Sequence, residues 1–548
     1  MMVEIKKKQD ERNEGTTDQH APNITWMKIP INRRRFIQGM GLGALALTGA
    51  GFPKVSWGSG PKVLKVREYL DMSTWDPGLA TSMAEENMYG AVMNKLTYYK
   101  PGTTWGWEKD AAASIKQVDP THIAFELKPG IMFSNGFGEM TAEDVKISFE
   151  RIIDPALSSP QKDDWGSLDH VKVNGKYAGE IVLTKPFEPM WMTTLPYIAG
   201  NILSKKGLES AGKNYGTAPP CFSGPYSLKE WKPKQHSILT RNPVWKGPKQ
   251  EFDEIHVYPI EDEKSAEMAF EAGDVDFTRI SISSYARYKN NPPKNSSVAI
   301  FPSLYNLWLG MNVDNPKMQN KKLRQAIQMA VDVPAILDAA YSGAAEPSTG
   351  FVCPGFVGHR EKSLVPPAGN ISLAKKLMDE AGYPDGIDLT LIVQNKTVFN
   401  TAAQVIQANL AQIGVRIKID SQEGGSFWTV GSESAGDRWK DIELILTRFS
   451  TGPDPYYMMT WYICKQKGVW NWMRYCDPEF DKLNDMASVE SDQAKRNEYY
   501  IRMQDMMEES GAFKFITHEA ICVMYRNNVV PALRPDGTPL LRYFKMNG

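Results

Sequence analysis

Between Arg448 and Cys476 the chain sets a single acidic side chain among many aromatic rings. The stretch runs Arg448-Phe-Ser-Thr-Gly-Pro-Asp454-Pro-Tyr-Tyr-Met-Met-Thr-Trp-Tyr-Ile-Cys464, then on through Trp470, Trp472 and Tyr475 to Cys476. Rings of this kind cover the apolar parts of a ligand, while one carboxylate supplies a directional charge contact. Pro453 and Pro455 hold the backbone at Asp454 in extended or turn geometry, because each proline fixes its own φ and restricts the residue before it. The competing reading is a core loop, with the rings buried and Asp454 closing a turn.

Covalent catalysis and metal chemistry find little support. There is no G-x-S-x-G elbow, no H-E-x-x-H, no C-x-x-C and no G-K-[ST] phosphate loop. The seven histidines (His20, His122, His170, His236, His256, His359, His518) are scattered, with no pair at ligand spacing. No cofactor is expected. With 63 Lys+Arg against 64 Asp+Glu, the chain also lacks the basic excess of a nucleic-acid binder. Hydrophobic and charged contents of 42% and 23% are those of a globular protein, and 548 residues allow two to four domains.

The elements that must position the aromatic stretch follow an α/β rhythm. Val63–Leu70 and Thr121–Leu127 alternate as strands, and Met83–Leu96 reads as a helix. Thr141-Ala-Glu-Asp144 opens a further helix with a capping-box pattern. Strands are expected at 254–258 and 274–277, around a helix at 263–272 that Gly273 ends. Leu323, Ala326, Ile327 and Ala330 make the core stripe of another helix. Helices at 372–381 and 401–413, each stopped by a glycine, alternate with strands at 387–393, 415–419 and 441–446. The last delivers the chain to Arg448, and the ends of such strands are where open α/β sheets tend to hold ligands. Helical segments at 478–489 and 492–509 and a strand at 521–525 complete the chain.

The first 31 residues are polar. Asn32-Arg33-Arg34-Arg35-Phe36-Ile37-Gln38 and the Gly/Ala-rich run 39–51 resemble a twin-arginine export signal, which implies a periplasmic destination. Five cysteines fit that compartment. Cys464 and Cys476 flank a Lys-Gln-Lys-Gly turn and can close a short loop worth about 2–3 kcal/mol. Two unpaired buried thiols are the alternative at this point.

Taken in order, several blocks resemble the family 5 extracellular solute-binding proteins of ABC importers, the oligopeptide, dipeptide and nickel class. They are Asp76-Pro77, Phe125-Glu-Leu-Lys-Pro-Gly-Ile-Met-Phe133, Met140-Thr-Ala-Glu-Asp-Val145, Ser223-Gly-Pro-Tyr226 with Trp231, and Arg241-Asn-Pro-Val-Trp245. Met311-Asn312, Leu323-Arg-Gln-Ala-Ile327 with Val331-Asp332, and Ala374-Lys-Lys-Leu-Met-Asp-Glu-Ala-Gly-Tyr383 extend the match over about 62–545. The resemblance implies a two-lobed periplasmic binding protein fold of α/β class, with three domains and a hinged cleft. Residues 1–60 would be signal and leader. Residues 61–100, 205–300 and 523–548 would form domain I, 101–204 a smaller domain II, and 301–522 domain III.

The resemblance further implies a monomeric, non-catalytic receptor exported by the twin-arginine machinery. It would capture a short peptide or amine-bearing solute and present it to membrane permease subunits. Oligosaccharide, opine or metal-chelate binding by the same fold, or a periplasmic hydrolase, are the alternatives. Asp454 stands where the family's peptide binders place the carboxylate that meets the ligand ammonium. Arg448, six residues upstream, stands at the spacing of an arginine that meets the ligand carboxylate. The Cys464/Cys476 pair resembles a disulfide of some members. Tyr456, Trp308, Met83 and Trp428 complete the candidate site, Trp428 as a lid after Gly424-Gly425. For Trp308 and Met83 a core role competes. Asp454→Asn is expected to abolish binding and leave ligand-free stability nearly unchanged.

Overall fold

Three sheets of four to seven strands, with three two-stranded ones beside them, carry the described residues. The computed structural model describes residues 60–547 apart from Thr451, so the expected export signal lies outside the described residues. The largest sheet has seven strands in the order Tyr226–Lys232, His236–Arg241, Glu254–Pro259, Val63–Glu68, Phe277–Ile280, Ala520–Arg526, Ser296–Pro302. Val63–Glu68 pairs in parallel with both of its neighbours. Their carboxyl ends therefore share one edge of the sheet. Arg67, Tyr69, Glu261 and Arg279 stand at or just past that edge.

A four-stranded antiparallel sheet follows the order Ala112–Asp119, His122–Leu127, Ala178–Leu183, Leu168–Val173. Helix Ala142–Ile153 closes its core through Val145, Phe149 and Ile152. Its start matches the sequence expectation: Thr141 and Asp144 form the capping box, which satisfies donors that the first helical turn leaves open.

The third sheet has five strands, ordered Val415–Gln422, Ile387–Gln394, Leu444–Ser450, Tyr305–Met311, Phe513–Thr517. Both faces are covered, as the near-continuous apolar runs of its strands require. Leu307, Leu309 and Met311 enter one core with the helices Lys321–Ala330 and Thr397–Ala411. Trp308, on the opposite face by strand alternation, enters a second core built on Met503, Met507 and Phe515. Helix Gln493–Ser510 backs that core and ends at Gly511, whose φ of 77° suits a residue without a Cβ.

Several element bounds differ from the sequence expectation: the strand expected at 274–277 runs Phe277–Ile280, and the helix expected at 401–413 runs Thr397–Ala411. The first helix stops at Val92 rather than Leu96, because Met93 is extended. The strand expected at 441–446 runs Leu444–Ser450, so Arg448 lies within it, opposite Leu307. Strand Ala520–Arg526 belongs wholly to the seven-stranded sheet, which places the chain's return to that sheet ahead of 522.

Residues 60–548 form one compact unit, and the segments carrying the four- and five-stranded sheets touch. Tyr457 donates its hydroxyl hydrogen to Asp164. Phe187 meets Tyr456 edge-on at 5.3 Å, and Gln493 Nε2 donates to Glu188 Oε1 at 3.0 Å. Trp105 packs on Phe356 at 4.9 Å. Among the described residues no helix is long and apolar enough to cross a membrane.

Candidate functional site

A cavity of about 710 Å³ opens where the three sheets converge, within the range that holds small organic ligands. The seven-stranded sheet supplies Arg67, Tyr69 and Arg279 from its strand ends, with Glu261 and Glu263 beside them. Ser82 and Met83 join from the start of helix Met83–Val92. Asp164, Thr193 and Tyr197 come from the segment of the four-stranded sheet. Tyr305, Arg448, Ser450, Pro453 and Tyr457 come from the five-stranded sheet and the loop after it.

Of the residues singled out in the sequence, Arg448 and Met83 line this cavity. The Arg448 guanidinium is 4.2 Å from the centroid of the Tyr305 ring, and its charge is paired with Glu519. The others sit elsewhere. Trp308 is fully buried between Phe449 and Tyr462, at 5.6 and 5.5 Å between centroids, and takes the core role that its alternating strand dictates. Trp428 packs on Phe427, Phe449 and Trp472 with a third of its surface still in solvent, away from the cavity lining. Tyr456 turns to Phe187.

Asp454 has a partner of its own. Its Oδ2 accepts from Arg496 Nη1 and its Oδ1 from Arg496 Nη2, each at 2.8 Å, with both side chains almost fully buried. Oδ1 also accepts from the Tyr456 backbone N–H at 2.9 Å and caps the 3-10 helix Pro455–Trp461. Burial opposes the Arg496 charge, but Asp454 outweighs it and holds the guanidinium above its ordinary range. A solute ammonium would have to displace Arg496 to reach this carboxylate. The pair therefore acts as a buried structural clamp, and breaking it is costly. On this geometry Asp454→Asn is expected to lower ligand-free stability, the opposite of the sequence expectation. Neighbouring Glu188 is pushed up to about 7, chiefly by burial.

Four carboxylates line the cavity, Asp164, Glu261, Glu263 and Asp536, and Asp164 comes from the segment of the four-stranded sheet. It is half-buried, and desolvation pushes its pKa up to about 6 although the Tyr457 hydroxyl favours the charged form. Arg67 is buried, and its Nε and Nη2 donate to the carbonyls of Ile260 and Glu261 at 2.7 and 2.9 Å. Sequence reasoning missed Arg67, Arg279, Asp164 and Tyr457. The signal for the arginines was their place at strand ends; 158–167 carries no periodic pattern that would have marked Asp164.

The disulfide joins Cys464 and Cys476, while Cys221, Cys353 and Cys522 are buried free thiols. Cys353 Sγ lies 3.2 Å from His518 Nδ1. Burial pushes the His518 imidazole down to about 3 and the Cys353 thiol up, so this pair is neutral and cannot supply a thiolate nucleophile. A separate cavity of about 440 Å³ lies beside Trp245 and Tyr543, and none of the candidate site residues Met83, Trp308, Trp428, Arg448, Asp454 and Tyr456 lines it.

The family model for the middle part of the bacterial extracellular solute-binding proteins, family 5, matches residues 41–469. The chain belongs to this family. Among curated relatives, the glutathione-binding protein GsiB of Escherichia coli K12 is 24% identical over 438 residues, 78% of this chain and 84% of that protein. HbpA2 from Haemophilus parasuis superimposes with a TM-score of 0.78 at 22% identity, over 89% of this chain and 100% of its own. DppA from Helicobacter pylori, a periplasmic binding protein of an ABC transporter solved in complex with the peptide STSA, does so at 0.68 and 23%, over 89% and 98%. As a family 5 member the chain is a solute-binding protein, not an enzyme, with the mixed α/β fold of its structural neighbours. The cavity at the strand ends is its candidate solute site.

Proposed function

We propose that this protein is the periplasmic receptor of an ABC importer, which closes on a short peptide or amine-bearing solute and delivers it to the permease. The observation that supports the solute class is the cavity itself. It combines a volume of about 710 Å³ with a charged lining from three separate sheets, so a ligand touching all three favours closure. The names of the relatives, glutathione and peptide binders, point the same way. In this reading the hinge lies where chain segments leave the seven-stranded sheet, between domain I (61–100, 205–300 and, with strand Ala520–Arg526, 520–548), domain II (101–204) and domain III (301–519). Within this reading Arg448 contacts the solute through its guanidinium face and Met83 through its thioether.

A thermal-shift screen against dipeptides, longer peptides, glutathione, sugars and simple amines tests this. A ligand that binds only the folded state raises its stability by RT ln(1 + [L]/Kd), about 2.7 kcal/mol at a hundredfold excess over Kd. Peptides and glutathione are expected to give the largest shifts. A shift with sugars alone overturns the proposed solute class.

A further inference from the structure

Pairing off the charges around the cavity leaves two poles. Arg448 is neutralised by Glu519, and Asp536 by Arg534 at 2.8 Å. Asp454 is held by Arg496 outside the lining. What remains on the seven-stranded sheet is Arg67 and Arg279, neither with a carboxylate within 4 Å among the described residues. Two of the donor nitrogens of Arg67 are spent on backbone carbonyls, while Arg279 Nη2 makes a long contact of 3.4 Å to Thr538 Oγ1 and its guanidinium lies 5.8 Å from the Tyr69 ring centroid. Glu68 beside them is buried and accepts from Asn87, and burial pushes its carboxyl up to about 7 against the pull of Arg279 and Arg67. Glu261 and Glu263 stand at the exposed rim, where solvent screens them. Two guanidinium groups that line the same cavity, one of them buried, offer donors suited to a carboxylate.

The opposite pole is Asp164. The Tyr457 hydroxyl occupies one position on it, and its charged neighbour is another acid, Asp163. Asp164 comes from the segment of the four-stranded sheet and the two arginines from the seven-stranded sheet, so the poles stand on separate walls of one cavity. A desolvated carboxylate facing a cavity is the complement of an ammonium.

We propose that the cleft selects a zwitterion, with the solute carboxylate on Arg67 and Arg279 and its ammonium on Asp164 and Tyr457. The inference rests on the cleft being the solute site and moves both charge contacts away from the aromatic loop. Neutral sugars and monopolar amines satisfy one pole at most, and leave a buried charge uncompensated.

Isothermal titration of the full mature chain tests it, with tri-alanine and glutathione as probes, beside N-acetylated and C-amidated forms of tri-alanine. Each blocked form is expected to bind at least about tenfold more weakly than the parent. Arg279→Gln should erase the amide penalty and leave the acetyl penalty, and Asp164→Asn the reverse. Equal affinity for free and amidated tri-alanine overturns the arginine pole while the peptide reading stands. Penalties untouched by either substitution overturn the assignment of both poles. If neither tri-alanine in any form nor glutathione binds, the peptide reading fails and the inference with it.

Discussion

Replacing Asp164 by Asn should close the empty receptor. Asp164 and Tyr457 come from segments that touch in this structure, and parting them would return water to the carboxylate. Its ordinary value is 3.8, which applies to the solvated, open form, and in the closed arrangement it rises to about 6. The sign follows from that direction. A carboxyl whose pKa is higher in the closed form favours closure below about pH 4, and this advantage is lost as pH rises through about 6. Above pH 7 the ionised group opposes closure by about 3 kcal/mol at most, and by about 1–3 kcal/mol once solvent screening of a half-buried group is allowed for. Asparagine keeps a carbonyl to accept the Tyr457 hydroxyl hydrogen but carries no charge. At pH 8 the ligand-free Asp164→Asn protein is therefore expected to favour the closed form by about 5- to 150-fold more than the unsubstituted one. Small-angle scattering reads this as a smaller radius of gyration, and the free-energy difference should fall to about a third of its pH 8 value by pH 4.5 and vanish below about pH 3. Glu188, pushed up to about 7 at the same junction, adds a second pH dependence in the same direction to both proteins. Identical scattering at pH 8, or an unsubstituted protein that compacts as pH rises, would refute this reasoning.

Three other substitutions probe the frame of the site. Arg496→Met leaves Asp454 buried without its guanidinium and should cost about 3–5 kcal/mol, visible as a lower urea midpoint without ligand; an unchanged midpoint would show that the pair is not structural. Tyr457→Phe removes the hydroxyl that bridges to Asp164 and should weaken solute binding roughly threefold to tenfold in titration calorimetry, while its ligand-free melting stays within about 1 kcal/mol. Cys464→Ser together with Cys476→Ser opens a loop of 12-residue separation and should cost about 3 kcal/mol, checked by denaturation in non-reducing buffer; equal stability would argue against a constraint on the unfolded chain.

Sequence periodicity made the scaffold legible because each sheet obeys a local rule. Strand alternation placed Val63–Glu68, Glu254–Pro259 and Ile387–Gln394, and glycine stops bounded the helices between them. The Thr141/Asp144 capping box needed only four residues to be read. The site was less legible because its charges are decided by partners far away in sequence. Asp454 and Arg496 are 42 residues apart, and Asp164 and Tyr457 are 293 apart. A lone carboxylate between two prolines looks available until the helix Gln493–Ser510 brings an arginine to it. Trp308 lay between core and cleft on spacing alone, and strand alternation at Leu307 and Leu309 decided for the core.

The central claim is that a short peptide-like solute is captured whole and released whole. Native mass spectrometry of the purified mature protein equilibrated with a defined mixture of di- to pentapeptides and glutathione tests this most directly. The account predicts saturable one-to-one adducts whose masses equal intact peptides, with the free pool unchanged over time. No peptide adduct at all, or the steady appearance of cleaved peptides, would contradict it.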